Sequence, residues 1–304
     1  MTAVTVLRMT RATWYKHRFC VVAIPAVFLL AALALFADGV VQRHWLSAHH
    51  LNGCLVADAT TGGSSCQSAA WVLFISPSQT PNIIAVAVLA LPVLVGLFAG
   101  VPWVAREFES GAFRFTWTQG TGPRRWLLGT FGPLAALAAV TAAIYGAAAS
   151  WWYQLAQWQD GTSIWSWRWS SFELTPFSIA GWTVLSMALA LLCGVLIRRV
   201  LPAMIAFTVT LGACAYLSEK WLRPWLFGIG MTVRQASGDT SAGWPSSTTA
   251  YTAATWQQHG TYWVAYQPHS HLIWFELARN GILVAVAALA VLASVWWLRI
   301  RPAD

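Results

Sequence analysis

The chain has 304 residues, of which 58% are hydrophobic and only 9% charged, with 21 Trp, two Lys and a net charge of +8. Soluble domains carry about 25% charged residues, so a water-soluble fold is excluded, and with it disorder, a collagen and a small disulfide scaffold. What remains is an all-α, polytopic membrane protein, rich in the aromatic residue that favours the membrane–water interface.

About 20 apolar residues cross a bilayer as a helix, and six stretches qualify. In chain order they are residues 19–37, 82–105, 126–149, 177–197, 200–218 and 272–298. The whole chain, 1–304, reads as a single transmembrane domain. The first stretch follows basic residues and contains Ala32-Leu33-Ala34, as a cleaved signal would. Its apolar run exceeds the roughly 7–15 residues of such a signal, which favours an uncleaved first helix. Ahead of it, Arg8, Arg11 and Arg18 fall on one helical face. They suit an in-plane helix on anionic headgroups or a plain basic flank.

Placing both termini in the cytoplasm puts twelve basic residues in inside segments and five outside, with Arg279 in the last span. That asymmetry is the positive-inside pattern. It makes the net charge a matter of topology and disfavours nucleic-acid binding. The outside loops are then 38–81, 150–176 and 219–271, and the main inside segment is 106–125. Cys54 and Cys66, with eleven residues between them in the first outside loop, suggest a disulfide in an oxidising compartment; two unpaired thiols are the alternative. In the last loop, Gly238 to Thr255 is rich in Ser, Thr, Gly and Ala and reads as mobile. The outer tryptophans, among them Trp151, Trp158, Trp165, Trp221, Trp225, Trp256, Trp263 and Trp274, fit an aromatic belt at the headgroups. An aromatic-lined outer gate is the sharper reading.

No catalytic constellation assembles. The chain lacks Gly-x-x-x-x-Gly-Lys-Ser/Thr, so it holds no phosphate loop for ATP, and lacks His-Glu-x-x-His and Gly-x-Ser-x-Gly. His49-His50 and His269-Ser270-His271 are candidate metal ligands, but no carboxylate pattern completes a site. Glu276 and Arg279, three apart at the start of the last span, can face each other on one helix near the outer water. An intramembrane charge is a functional hint by default.

One inside segment combines acidic residues with shape. It runs Arg106-Glu107-Phe108-Glu109-Ser110-Gly111, continues through Phe113, Phe115 and Trp117, and ends Gly122-Pro123-Arg124-Arg125-Trp126. It describes a short amphipathic helix held against the membrane, or a helix-ending turn with stop-transfer arginines. The Arg-Glu-x-Glu-x-Gly run, with Trp-Thr-Gln and then Arg-Arg-Trp opening the third span, resembles the permease subunits of type-2 ABC transporters, in the form common in actinobacteria. The layout of six spans fits the whole chain; the motif covers about 21 residues.

The resemblance implies that 106–125 is a coupling helix resting on a separate cytoplasmic ATP-binding subunit. Glu107, Glu109, Gly111, Arg124 and Arg125 would be its coupling residues. It also implies a second permease copy with the substrate path between the two, a connecting helix at the N-terminus, and re-entrant helices within 219–271. Thr130 stands where a Lys often occurs in that family.

The chain is therefore expected to be the permease of an ATP-driven exporter in a bacterial plasma membrane, not itself an enzyme. It would hold no cofactor, ATP and Mg belonging to the partner subunit, and its substrate would be hydrophobic or amphipathic. Two other classes stay open. One is a membrane enzyme or assembly factor for lipid or cell-wall precursors, using the outer His, Asp and Trp residues. The other is an ion-driven secondary carrier, disfavoured by the lack of central charges.

Overall fold

The computed structural model describes residues 3–48, 80–111, 123–157, 173–229, 232–236, 250–258, 261–268 and 271–300. Among these, six helices are long and apolar enough to cross a membrane: Val21–Trp45, Val86–Glu109, Phe131–Tyr153, Pro176–Ile197, Val200–Leu226 and Ile273–Ile300.

The first helix, α1 (Ala3–Ala48), is continuous through the N-terminal basic segment, so the expected in-plane helix is not a separate element. It also runs past Asp38, where the uncharged stretch ends. Two donors make that charge tolerable: Trp152 Nε1 and Gln42 Nε2 each reach Asp38 Oδ2 at 2.6 Å. Trp151 stacks on Phe36 with centroids 5.0 Å apart and lies under the Arg43 guanidinium at 4.3 Å. These two tryptophans therefore bind α1 to the third span. Others suit the interfacial belt: Trp221, Trp225 and Trp274 are all exposed.

The second span is α2 (Thr80–Val95), a wide π turn (Gly96–Gly100) and α3 (Val101–Glu109). Pro92 has no N–H to give the Val88 carbonyl one turn earlier. Tyr145 donates its hydroxyl to Val88 O at 3.4 Å, and Ser186 donates to Pro92 O at 2.9 Å. Hydroxyls from neighbouring helices thus satisfy backbone groups freed where water is absent.

The third span is α4 (Pro123–Gln157), the fourth α5 (Pro176–Ile197) and the fifth α6 (Val200–Leu217). A second π turn (Ser218–Leu222) carries α6 into the short α7 (Arg223–Gly228). The sixth span is α8 (Leu272–Ile300). At the centre stands α5, 72% buried over its apolar window against 17% for the first and fifth spans. It packs on α2, α3, α4, α6 and α8, whereas the main neighbour of α1 is α4.

Small residues permit these approaches, as membrane helices require. A Cβ at Gly146 of α4 would lie 2.8 Å from Pro176 Cα and 3.2 Å from Thr175 O. Both obstacles are backbone and cannot rotate away. Gly146→Val should therefore destabilise the chain by about 1–3 kcal/mol, the usual overpacking cost, as a lowered unfolding midpoint in detergent. Gly132→Val, where an added Cβ meets nothing within 4 Å, is the control.

Beyond Gly228 the last long loop departs from the helical expectation. After α7 come β1 (Thr232–Ala236), β2 (Ala250–Gln258) and β3 (Thr261–Pro268). They form one antiparallel sheet in the order β1-β3-β2, with Trp256 opposite Trp263 and a bulge between Thr252 and Ala254. Between Thr232 and Pro268 every described element is a strand, not a re-entrant helix. Alternating Tyr, Trp, Val and Thr residues favour the pleat, and they begin within the stretch expected to be mobile.

Candidate functional site

Two clusters of polar residues stand at opposite ends of the bundle. The first lies where α3 ends beside the tight connection from α5 to α6. Only Arg198 and Arg199 separate those helices, so the chain must reverse at once. Arg198 does so with φ of 58°, in the left-handed region, its N–H bonded to Gly194 O at 3.0 Å. It is the one non-Gly residue among those described with positive φ. Its guanidinium lies over the Phe108 ring at 5.8 Å.

Glu109 completes this end. Its Oε1 accepts the Val200 backbone N–H at 3.1 Å, at the N-terminus of α6. A helix start offers unpaired N–H groups and a positive dipole end, which a carboxylate satisfies. Arg199, the residue at the cap position itself, makes no side-chain cap, so Glu109 supplies it from α3. Gly111 ends α3 with φ of 69°, after Ser110 N–H bonds Arg106 O at 3.0 Å and Gly111 N–H bonds Phe108 O at 3.3 Å. A left-handed closing residue is the usual place for glycine.

Of the coupling residues expected from sequence, Glu107, Glu109 and Gly111 thus share one elbow. They differ in exposure: Glu109 is exposed, but Glu107 is 6% exposed and buried with the core face of α3. Arg124 and Arg125 open α4 directly after Pro123, the residue pre-set for a first helical turn. Residues 112–122, with Phe113, Phe115 and Trp117, lie outside the described residues. So do Cys54 and Cys66, and the histidines at 49, 50, 259 and 269.

The second cluster was not legible as a unit. Glu276 and Arg279 are not in outer water but 3% and 2% exposed. Their principal partners lie on the segment opening α5. Arg279 Nη2 donates to Glu173 Oε2 and to Ser178 Oγ, and Thr175 donates its hydroxyl to Glu276 Oε1. Ser178 Oγ and Trp182 Nε1 each also reach Glu173 Oε2 at 3.3 Å. Thr175 caps α5, accepting Ser178 N–H at 3.2 Å, with Pro176 in the first turn. In the sequence Glu173 falls in the outer loop 150–176; the signal that points to it is the need of Arg279, in an apolar helix, for a buried carboxylate.

The fold and these clusters define a multi-pass membrane protein that gathers its charges at the two ends of a six-helix bundle. The chain belongs to the ABC-2 membrane transporter related family, whose model matches residues 10–223. That range contains the first four spans, most of the fifth and the whole Glu109 elbow. Membership makes the chain the membrane component of a transporter. No curated protein matches it, and no solved structure does.

Proposed function

We propose that the chain is the permease subunit of an ATP-driven exporter, working as a pair of copies with a separate cytoplasmic ATP-binding subunit that carries ATP and Mg. Both termini and the 106–125 segment face the cytoplasm, in accord with twelve basic residues on that side and five on the other. The site residues are Glu107, Glu109, Gly111, Arg124 and Arg125.

The observation that carries this reading is the bond from Val200 N–H to Glu109. It ties the end of the second span to the start of the fifth, and α3 also packs on α5, where a Cβ at Gly194 would meet Val104 at 2.8 Å. A subunit that moves the residues after Gly111 therefore moves three spans together. Such a movement does work only where the ATP-bound partner prefers one state of the permease over the other.

The test is co-purification. The chain, solubilised from its native membrane with ATP and Mg, should bring down a protein with a phosphate-loop motif, and the pair should hydrolyse ATP. A reporter fused at Asp304 should read cytoplasmic. An ATPase-free preparation that still catalyses uphill transport driven by an ion gradient would overturn the reading.

A further inference from the structure

We propose that a cleft within a single copy of this chain, between α2, α5 and α6 at the Glu276 end, binds a lipophilic amine in its protonated form. The cavity measures about 210 Å3. An apolar cavity of about 150 Å3 holds a benzene ring, so the cleft takes an aryl or short alkyl group with a charged head. Leu89, Val93 and Leu211 supply apolar walls, and Trp182 supplies an aromatic one. Among the described residues, the charged ones lining it are both acidic, Glu173 and Glu219. Their cationic partners, Arg279 and Arg223, are not among the lining residues.

The chemistry selects a cation. Glu173 receives Ser178, Trp182 and Arg279 all on Oε2, so none of these bonds uses Oε1. A carboxylate offers about four acceptor positions over its two oxygens. An ammonium N–H fits that vacant oxygen, and Glu173 is buried enough (8% side-chain exposure) for the bond to be little screened by water. A neutral ligand of the same shape would desolvate the carboxylate further and return nothing; an anion would meet carboxylate oxygens and, among the described lining residues, no cationic group. Trp182 is held in place through its own N–H to Glu173, and an indole is the best face for a cation. Binding of this kind needs no ATP-binding partner, so it stands or falls apart from the coupling reading.

The test uses the purified full-length chain in lipid nanodiscs, with empty nanodiscs subtracted. The probes are 4-phenylbutylamine, 4-phenylbutanol and 4-phenylbutyrate, which share one aryl chain and differ in head charge. Titration calorimetry should show saturable binding of the amine, about tenfold tighter than the alcohol, with no binding of the carboxylate. Trp182→Leu should weaken the amine about tenfold, the loss of a desolvated cation–aromatic contact. Ala215→Trp should abolish binding. Ala215 lines the cleft yet lies on the exposed face of α6, so the larger side chain fills the cavity without entering the packed core. Equal affinity for amine and alcohol would make the cleft an apolar groove for lipid chains and overturn the proposal. Full amine binding by Ala215→Trp would place the site elsewhere, and no saturable amine binding into the millimolar range, where affinity is worth only about 4 kcal/mol, would remove it.

Discussion

Arg279→Met should be the most destabilising single change outside the packed core. Arg279 is 2% exposed and bonds Glu173 and Ser178, so its loss leaves the 6% exposed Glu173 without its cation. Breaking one side of a buried pair costs about 3–5 kcal/mol, a large share of the roughly 5–15 kcal/mol that keeps a domain folded. The variant should accumulate poorly and unfold at a markedly lower temperature in detergent. The double variant Glu173→Gln/Arg279→Met should recover much of the loss, because removing both charges also removes the cost of burying them. Arg223→Met, which breaks the partly exposed pair with Glu219 at 2.7 Å, should change stability by less than about 1 kcal/mol. Wild-type stability of Arg279→Met would show that the Glu173–Arg279 pair does not join the fourth and sixth spans.

Glu107 and Glu109 should have the largest effect on transport. Their structural roles must be separated first. Glu109 caps α6, so Glu109→Ala should lose about 1 kcal/mol, the usual value of a cap. Glu109→Gln keeps an oxygen for the Val200 N–H and removes the charge. Glu107 is buried, and the small cost expected of an exposed carboxylate does not apply to it; Glu107→Gln preserves its volume. The double variant Glu107→Gln/Glu109→Gln should therefore reach the membrane at parental level. If the exposed Glu109 charge meets the ATP-binding subunit, losing its partner in a desolvated interface costs about 2–5 kcal/mol. Transport and partner-stimulated ATP hydrolysis should fall at least tenfold. Comparable changes at Asp58 or Asp239 should do much less. Parental transport by the double glutamine variant would remove these carboxylates from coupling.

The six spans were legible because an uncharged run of some twenty residues has few fates other than a bilayer. Their ends were less so. The helix through Asp38 depends on Trp152, 114 residues away, and no local pattern announces that donor. Likewise Arg279 and Glu276, three apart, suggested a pair within one helix. Each also bonds across to the segment opening the fourth span, Arg279 to Glu173 and Glu276 to Thr175, 106 and 101 residues distant. The elbow at 106–111 stood out as a motif, and Gly111 at φ 69° shows why a glycine ends it. The cap from Glu109 to Val200 did not, since it joins two spans across 91 residues. In 250–268 the alternation of Tyr, Trp and Thr with smaller residues was present, but the surrounding Ser, Thr and Gly masked it. A membrane context also biases any reading toward helices, although a loop in water is free to form a sheet.

The proposed coupling through the Ser110 turn can be tested directly by photocrosslinking. Ser110 is exposed between Glu109 and Gly111, so a photoreactive residue there samples whatever rests on the elbow. In native membranes the account predicts one dominant adduct, to a protein carrying a phosphate-loop motif, with a yield that changes when ATP is added. Crosslinks to lipid alone, with no ATP-binding protein captured in either nucleotide condition, would contradict it.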